Sequence, residues 1–461
     1  MESFGCKTPR VHAFFFEDCK VMKGTSAVQI LLFRSLTKSH CLKAFVAGIV
    51  AFILYSNLAF TGGTANNLAV VRSQPKYEQL VKVDDRLIAA TSKFAFKLYG
   101  QTIKQRSGKN LLISPASLML ALAMTYNGAE AETRRAMADT LELKSMSREE
   151  VNRAFADLKS ALGTADPKVQ LKIANSLWTR NGFSPKPAFI EGIKEYYSGE
   201  VASLDFASPA APATINSWVS RNTEGKIEGV VDRIDPEIIL FLINATYFKG
   251  QWQVSFEKEK TKDDVFRLAD GRQKKLPMMF RSGRYAYQKG KDFQAVAVPY
   301  GTGRMSMYVF LPDEHTSLDQ FERSLTPENW ENWIRGFRMT PGELTFPRFK
   351  IEYAAEMNDM LKPLGMTEAF DPLRANFSGI AEPGGGKRIY ISRVKHKTFA
   401  EVNEEGTVAA GATSVEIGVT SVQLPQEPFV MKVDRPFFFA IRDNGTGVIL
   451  FMGSVADPAQ G

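Results

Sequence analysis

Apolar residues beyond residue 80 recur first at helical spacing and later at strand spacing. The Asp pair at 84–85 precedes apolar positions three and four residues apart, which predicts a capped helix. Ser114-Pro115 is typical of a helix start, in which the hydroxyl caps the first turn and proline opens it. Ser147 and Glu150 have the spacing of a capping box. Further helices are predicted at 132–141, from 147 to about 162, at 187–197, at 214–223 and in a segment that includes 355–361.

The strongest predicted strand is residues 238–248, an almost unbroken apolar run. Such a run is typical of a strand that is buried on both faces. A C-terminal hairpin is predicted from 437–441 and 448–452. Helices followed by strands favour an α+β fold built on a large sheet. The remaining extended segments are predicted at 170–178, at 201–206, as short strands across 264–311, at 343–352 and at 389–402.

The bulk composition indicates one globular domain from residue 80 to 461. Apolar residues make up 44% of the chain and charged residues 23%, which is ordinary for a globular protein. Residues 1–43 contain seven Lys/Arg and three Asp/Glu, so they supply +4 of the formal charge of +8. The other +4 is spread over the rest of the chain, which does not indicate a nucleic-acid partner.

The chain before residue 80 has the pattern of a leader. The basic segment 1–43 contains all three cysteines, Cys6, Cys19 and Cys41, so the domain is expected to have no disulfide and no thiolate metal site. Translation from Met22 would give a leader of more ordinary length. The uncharged run 44–60 is a signal h-region or, alternatively, a signal anchor, and 61–79 is interpreted as a tether. We expect the domain to be secreted or periplasmic, or anchored through 44–60 at the outer face of the membrane.

The segment 404–421 combines small residues with strand-compatible chemistry. It lacks proline, and at period two its first face carries only compact, uncharged side chains from Thr407 to Val415. Such a face suits a strand turned toward a protein interior. The segment can therefore be an exposed loop in one state and a buried central strand in another. The alternative interpretation is a flexible Ala/Gly linker.

This segment and its surroundings resemble the serpins. The family's hinge pattern is matched by Glu404-Glu405-Gly406-Thr407-Val408-Ala409-Ala410, and its C-terminal pattern by Asp434-Arg435-Pro436-Phe437. Upstream the resemblance includes 113–117, 175–178 and 244–252. In order and spacing these motifs cover roughly residues 80 to 457.

The resemblance implies a single serpin-like α+β domain with a large central sheet, smaller sheets, surrounding helices and an exposed reactive-centre loop at about 404–428. It also implies an inhibitory mechanism rather than an enzyme. A serine protease would cleave the loop at Thr420–Ser421, and the acyl-enzyme would be trapped as the loop inserts into the sheet from Thr407 onward. The product is a covalent complex of a monomeric inhibitor with its target, and no cofactor is implied. The hinge residues carried over are Glu404, Gly406, Thr407, Ala409, Ala410, Gly411 and Ala412.

The loop sequence bears on the target protease. No Lys or Arg lies between Glu405 and Met431, which disfavours trypsin-like enzymes. Thr420, flanked by Val419 and Val422, suits a protease with a small apolar pocket, elastase-like or subtilisin-like. Val408 departs from the family pattern, and the segment after Ser421 is longer than is common, so the bond could be displaced by one or two residues, for example to Val419–Thr420.

The resemblance also assigns a strand-opening cluster. It comprises His396, Asn244, Ser114, Ser117 and Trp252. A buried polar cluster must have its hydrogen bonds satisfied, and one that can be satisfied in two strand arrangements would permit the sheet to open. The alternative is a satisfied core histidine and an ordinary core tryptophan.

Catalytic and metal-binding motifs are absent from the sequence. It contains no Gly-x-Ser-x-Gly elbow, no His-Glu-x-x-His and no phosphate-binding Gly-x-x-x-x-Gly-Lys. A non-inhibitory serpin that acts as a chaperone or ligand carrier, and a membrane-tethered structural protein, are the alternatives to an inhibitor.

Overall fold

A computed structural model describes residues 81–106, 108–163, 166–382, 388–407 and 427–460. The predicted segments 1–43, 44–60 and 61–79 lie outside them. No helix in the described ranges has both the length and the apolar character that crossing a bilayer requires. The α-helices are α1 Asp85–Thr102, α2 Pro115–Gly128, α3 Ala131–Thr140, α4 Arg148–Gly163, α5 Pro187–Gly192, which continues as a π turn to Tyr197, α6 Ala211–Asn222, α7 Leu318–Arg323, α8 Pro327–Gly336 and α9 Asn358–Leu361.

Strand residues outnumber helical residues in the described part of the second half of the domain. They are β1 Leu111–Ile113, β2 Val169–Arg180, β3 Glu200–Leu204, β4 Leu240–Gln251, β5 Lys262–Arg267, β6 Gln273–Lys289, β7 Phe293–Tyr300, β8 Met305–Pro312, β9 Arg338–Pro347, β10 Phe349–Glu356, β11 Ile391–Asn403, β12 Gly406–Thr407, β13 Phe429–Lys432, β14 Phe437–Asp443 and β15 Ile449–Val455. The predicted α+β fold is confirmed.

Two sheets organise the described residues. One has six strands in the order β10-β11-β12-β4-β2-β3, and β11 also pairs directly with β4. The other follows the path β1-β15-β14-β8-β7-β6-β9-β13, with β5 paired to β6. In the six-stranded sheet β4 and β11 run parallel, whereas the two-residue β12 is antiparallel to both. The contact between β4 and β11 is therefore where a further strand already begins.

Helix α2 lies between the two sheets. It packs on β15 of one sheet and on β2 and β4 of the other. Almost every residue from Pro115 to Gly128 is buried, which explains why its sequence is apolar on all faces rather than amphipathic. The N-terminal end of α2 consequently brings Ser114 and Ser117 against the six-stranded sheet.

Two of the three helix-start predictions are confirmed. The Asp84 carboxylate accepts a hydrogen bond from the Arg86 amide at 2.8 Å. Ser147 and Glu150 form the reciprocal capping box, with backbone-to-side-chain distances of 3.2 and 2.7 Å. The predicted cap by the Ser114 hydroxyl is wrong, because no N–H of the first turn donates to that hydroxyl, which itself donates to the Leu450 carbonyl of β15 at 2.7 Å. The hydroxyl is therefore directed to an acceptor in the adjoining sheet and not to the N–H groups of the first turn of α2.

The segment between residues 312 and 361 departs most from the predictions. The helix predicted to include 355–361 is shorter, because residues 355 and 356 complete β10 and the α-helix spans Asn358–Leu361. The extended segment predicted at 343–352 is divided between β9 and β10. Helices α7 and α8 were not predicted, although Ser317 with Gln320 forms a capping box and Thr326-Pro327 starts the second helix.

Candidate functional site

The two central strands of the six-stranded sheet separate at one end. Strands β4 and β11 are paired from Leu240 and Ile391 to Tyr247 and Phe399. Beyond that point β12 lies between them, with Gly406 opposite Gln251 and Thr407 opposite Gly250. The chain leaves β11, reverses through residues 404–405 and re-enters the same sheet. Gly406 and Thr407, the residue from which insertion is predicted to start, are thus already paired on both sides.

The reversal of the chain into β12 requires glycine at position 406. Its φ is +147°, a conformation that L side chains rarely adopt. A Cβ at this position would overlap the backbone carbonyl of Gly250 on β4. The sequence pattern identified the glycine, and the structure supplies the physical reason for it.

The turn between β11 and β12 is held by ion pairs. Glu404 is 2% exposed and accepts hydrogen bonds from Arg348 Nε at 2.7 Å and from the Thr261 hydroxyl at 2.6 Å. Burial raises the pKa of Glu404, but the hydrogen bonds from Arg348 and Thr261 outweigh it, so the net pKa is lowered. Glu405 pairs with Lys258 at 2.7 Å on the surface. Glu404 therefore stays ionised and fixes where the chain turns.

Trp252 lies directly beneath this turn. Its backbone amide donates to the Glu405 carbonyl and its indole Nε1 donates to the Asn403 carbonyl, both at 2.9 Å. The ring stacks on Tyr300 with centroids 4.4 Å apart and an interplanar angle of 13°. Trp252 thus binds the turn through two hydrogen bonds as well as filling the core. Asn403, which also accepts from the Glu405 amide through its side chain, was not predicted.

His396 lies farther along the contact between β4 and β11, where its register partner is Asn244. Its Nε2 accepts from the Ser114 amide at 3.1 Å, and its Nδ1 is 2.5 Å from the Asn244 side-chain oxygen. Since Nε2 accepts, Nδ1 carries the proton and donates to Asn244, which assigns the neutral tautomer. Burial lowers the pKa of His396 from 6.5 to about 3.

The hydrogen-bond cluster around His396 extends beyond the predicted residues. The Asn244 amide nitrogen donates to the Ser117 hydroxyl and to the Asn175 side-chain oxygen, both at 2.5 Å. The Thr246 hydroxyl is 2.6 Å from Ser117 Oγ. Asn175 belongs to β2, so the cluster joins three strands to α2. Asn175 and Thr246 were missed because only register across strands brings them here.

The structure thus brings His396, Asn244, Ser114 and Ser117 together and places Trp252 apart from them. Trp252 follows Asn244 by eight residues along the same chain segment, which at ~3.3 Å per strand residue is about 26 Å. The predicted reactive bond Thr420–Ser421 and the hinge residues Ala409, Ala410, Gly411 and Ala412 lie outside the described residues. Among the residues that are described, no group of three or more His, Cys, Asp or Glu side chains is placed to hold a metal ion.

Comparison with known proteins agrees with this architecture. The family described as "Serpin (serine protease inhibitor)" matches residues 89–458. Human leukocyte elastase inhibitor is 35% identical over 81% of this chain and its own full length, and serpin B6 of Pongo abelii is 34% identical over the same shares.

Solved structures give the same result. The native state of the thermophilic serpin tengpin superposes with a TM-score of 0.75 at 35% identity, covering 82% of this chain and 95% of that one. Thyroxine-binding globulin in complex with thyroxine has a TM-score of 0.73 at 26% identity, covering 81% of this chain and all of the other. The extent of both kinds of match shows that the chain belongs to the serpin family.

Proposed function

We propose that this serpin inhibits serine proteases as a suicide substrate, with Thr420–Ser421 as the reactive bond. The observation that carries the proposal is the pairing of Gly406 and Thr407 between β4 and β11. These two residues form the start of a strand between β4 and β11. Thr407 is fully buried, as an inserting residue must be. The hinge that follows has only small side chains on the face shared with Thr407.

The protease serine would attack the Thr420 carbonyl, form an ester with it and release the amine of Ser421. The protein is then an acyl-enzyme whose loop is free at one end. Residues after Thr407 would enter between β4 and β11 and draw the attached protease away before water hydrolyses the ester. Inserted residues gain ladder hydrogen bonds on both sides.

The register of β12 between β4 and β11 predicts which loop residue would reach His396 on insertion. On β4, Asn244 lies six residues before Gly250, and on β11 His396 lies six residues before Val402. Both Gly250 and Val402 are partners of Thr407. A loop that continues in the same register would therefore bring Thr413, six residues after Thr407, between His396 and Asn244. We propose that the hydrogen bond between those two side chains opens at that step.

The target class rests on the loop composition and on the relatives. Val419 and Val422 flank the Thr420–Ser421 bond, and Thr420 in this setting suits a small apolar specificity pocket. Leukocyte elastase inhibitor is among the relatives. We therefore propose an elastase-like or subtilisin-like target.

The test is to mix the purified protein with an elastase-like and a subtilisin-like protease and to analyse the mixture by denaturing gel and mass spectrometry. We expect an SDS-stable adduct and a released C-terminal peptide that begins at Ser421. A peptide beginning at Thr420 would move the bond to Val419–Thr420 and keep the mechanism. Clean cleavage with full residual protease activity and no adduct would refute inhibition of those targets.

A non-inhibitory ligand carrier is the second candidate, because the fold is also similar to thyroxine-binding globulin. A carrier would be cleaved in the loop without forming the adduct. The gel experiment therefore separates the two functions directly.

We further propose that the domain is exported or anchored through 44–60 and acts as a monomer outside the cytosolic face. Expression of the full chain with a C-terminal tag, followed by fractionation and N-terminal sequencing of the mature protein, tests this. A mature chain that begins after residue 60 in the extracellular or periplasmic fraction is expected for a signal peptide. Retention of the uncleaved chain in the membrane fraction is expected for an anchor, and a cytosolic product would refute export.

A further inference from the structure

We infer that the Tyr300 hydroxyl is a positioning group for the hinge, which holds Thr407 in place so that the loop enters the sheet in one register. This inference rests on the proposed function and assigns a role in it to a residue of the other sheet. The two hydroxyl oxygens are 2.8 Å apart, and both residues are fully buried.

The hydroxyl pair favours the inserted position of Thr407. Within the described residues each hydroxyl has the other as its hydrogen-bond partner. Withdrawal of Thr407 from the gap would leave the Tyr300 hydroxyl buried and unpaired, which is unfavourable. The reverse also holds, because a Thr407 that stays buried without Tyr300 loses its own partner.

The Tyr300 ring is held by aromatic contacts that do not involve Thr407. It stacks on Trp252 and makes an edge contact with Phe248 at 5.1 Å between centroids. Gly250, the partner of Thr407 on β4, makes room for the ring, since a Cβ on Gly250 would come within 2.8 Å of Tyr300 Cδ1. A rigid aromatic from the nine-stranded sheet thereby presents its hydroxyl to the first inward-facing residue of the hinge.

The position of Thr407 matters because successive side chains along a strand point to opposite faces of the sheet. A slip of one residue would exchange the two faces of the loop. The face that begins at Thr407 is compact and uncharged up to Val415, whereas the opposite face carries Glu416. A hydroxyl pair that fixes Thr407 before insertion begins selects the face that the interior can accept.

The test compares Tyr300→Phe with the wild type in two measurements. The first is the stoichiometry of inhibition, the moles of serpin consumed per mole of protease trapped. The second is hydrogen exchange at the Gly406 and Thr407 amides without any protease. We expect a shift of about tenfold in the hinge equilibrium, equivalent to about 1.4 kcal/mol, seen as faster exchange and as a higher stoichiometry because more loop is cleaved untrapped.

Two variants separate positioning from packing. Tyr308→Phe removes another buried phenol, which donates to Asn444 at 2.8 Å, and should leave both measurements unchanged. The double variant Tyr300→Phe/Thr407→Val replaces both hydroxyls with apolar groups of similar shape, so neither is left unpaired, and we expect recovery of both measurements.

The outcomes discriminate between the two proposals. If the wild type traps protease and Tyr300→Phe changes neither measurement, the inference is overturned. It is also overturned if Tyr308→Phe has the same effect as Tyr300→Phe, because only general packing is then involved. If the wild type traps none of the proteases tested, the proposed inhibitory function fails for those targets, and the exchange measurement alone decides whether Tyr300 positions the hinge.

Discussion

Acidification should destabilise the closed sheet through His396. The side chain is 1% exposed, and burial lowers its pKa from 6.5 to about 3. Its Nε2 accepts the Ser114 amide hydrogen, while Nδ1 donates to Asn244. A second proton would have to reside on Nε2, where it would face the N–H of Ser114. The folded protein therefore resists protonation that the unfolded chain accepts.

The sign and size of the effect follow from linkage. Because the folded pKa is the lower one, the unfolded state binds a proton first as the pH falls below 6.5. The contribution of His396 to the free energy of unfolding is complete above that pH and falls by about 1.4 kcal/mol per pH unit toward pH 3. The loss is about 2 kcal/mol at pH 5.0 and about 5 kcal/mol in total.

Urea unfolding at pH 7.5 and pH 5.0, followed by tryptophan fluorescence, measures this effect. The wild type should lose about 2 kcal/mol more on acidification than His396→Gln, because the other titrating groups are common to both. His315→Gln, a change at an exposed histidine, is the matched control and should behave as the wild type does. Equal pH dependence in the wild type and His396→Gln would refute the reasoning.

Three further predictions concern the hinge. Gly406→Ala should destabilise the protein by at least about 1 kcal/mol in thermal unfolding, whereas Gly100→Ala, with open space around the new Cβ, should not. Arg348→Ala should destabilise the protein by roughly 1–3 kcal/mol in urea unfolding, because Glu404 stays buried without its partner. Arg348→Lys should recover part of this loss. An unchanged free energy of unfolding in Arg348→Ala would mean that water satisfies the carboxylate. Under the proposed mechanism, Thr407→Arg should give cleaved protein without adduct on denaturing gels, because the site of Thr407 in the sheet is buried and a charge there opposes insertion. Undiminished adduct would contradict that.

The sequence predicted those features that depend on local spacing. The cap at Asp84, the box formed by Ser147 and Glu150 and the doubly buried strand at 238–248 all follow from a few neighbouring residues. The family pattern added the hinge and the residues around His396. Ser114 shows where local reasoning ends, since local N–H groups of the first turn of α2 are available to its hydroxyl, which instead donates to the Leu450 carbonyl.

The contacts that were missed are set by register over long sequence separations. Thr407 and Tyr300 are 107 residues apart and meet across two sheets. Tyr300 is the last residue of an apolar strand and precedes Gly301, a context that predicts a turn and nothing more. Asn175 and Thr246 look like ordinary polar residues within apolar strands until the pairing of β2 with β4 is known. No single-residue signal would have found them.

Under the proposed insertion, the ladder between β4 and β11 is exchanged rather than lost. The two strands are now paired in parallel, and an inserted loop would replace that one pairing with two antiparallel pairings. Antiparallel pairs are the more stable per residue, so the backbone favours insertion at every step. Side chains must then supply the resistance that keeps the uncleaved sheet closed. The hydrogen bond between His396 and Asn244 spans the contact that has to open, and the loop reaches it only at the sixth residue after Thr407. The first steps of insertion should therefore proceed without disturbing the cluster, and the barrier should lie where Thr413 meets it.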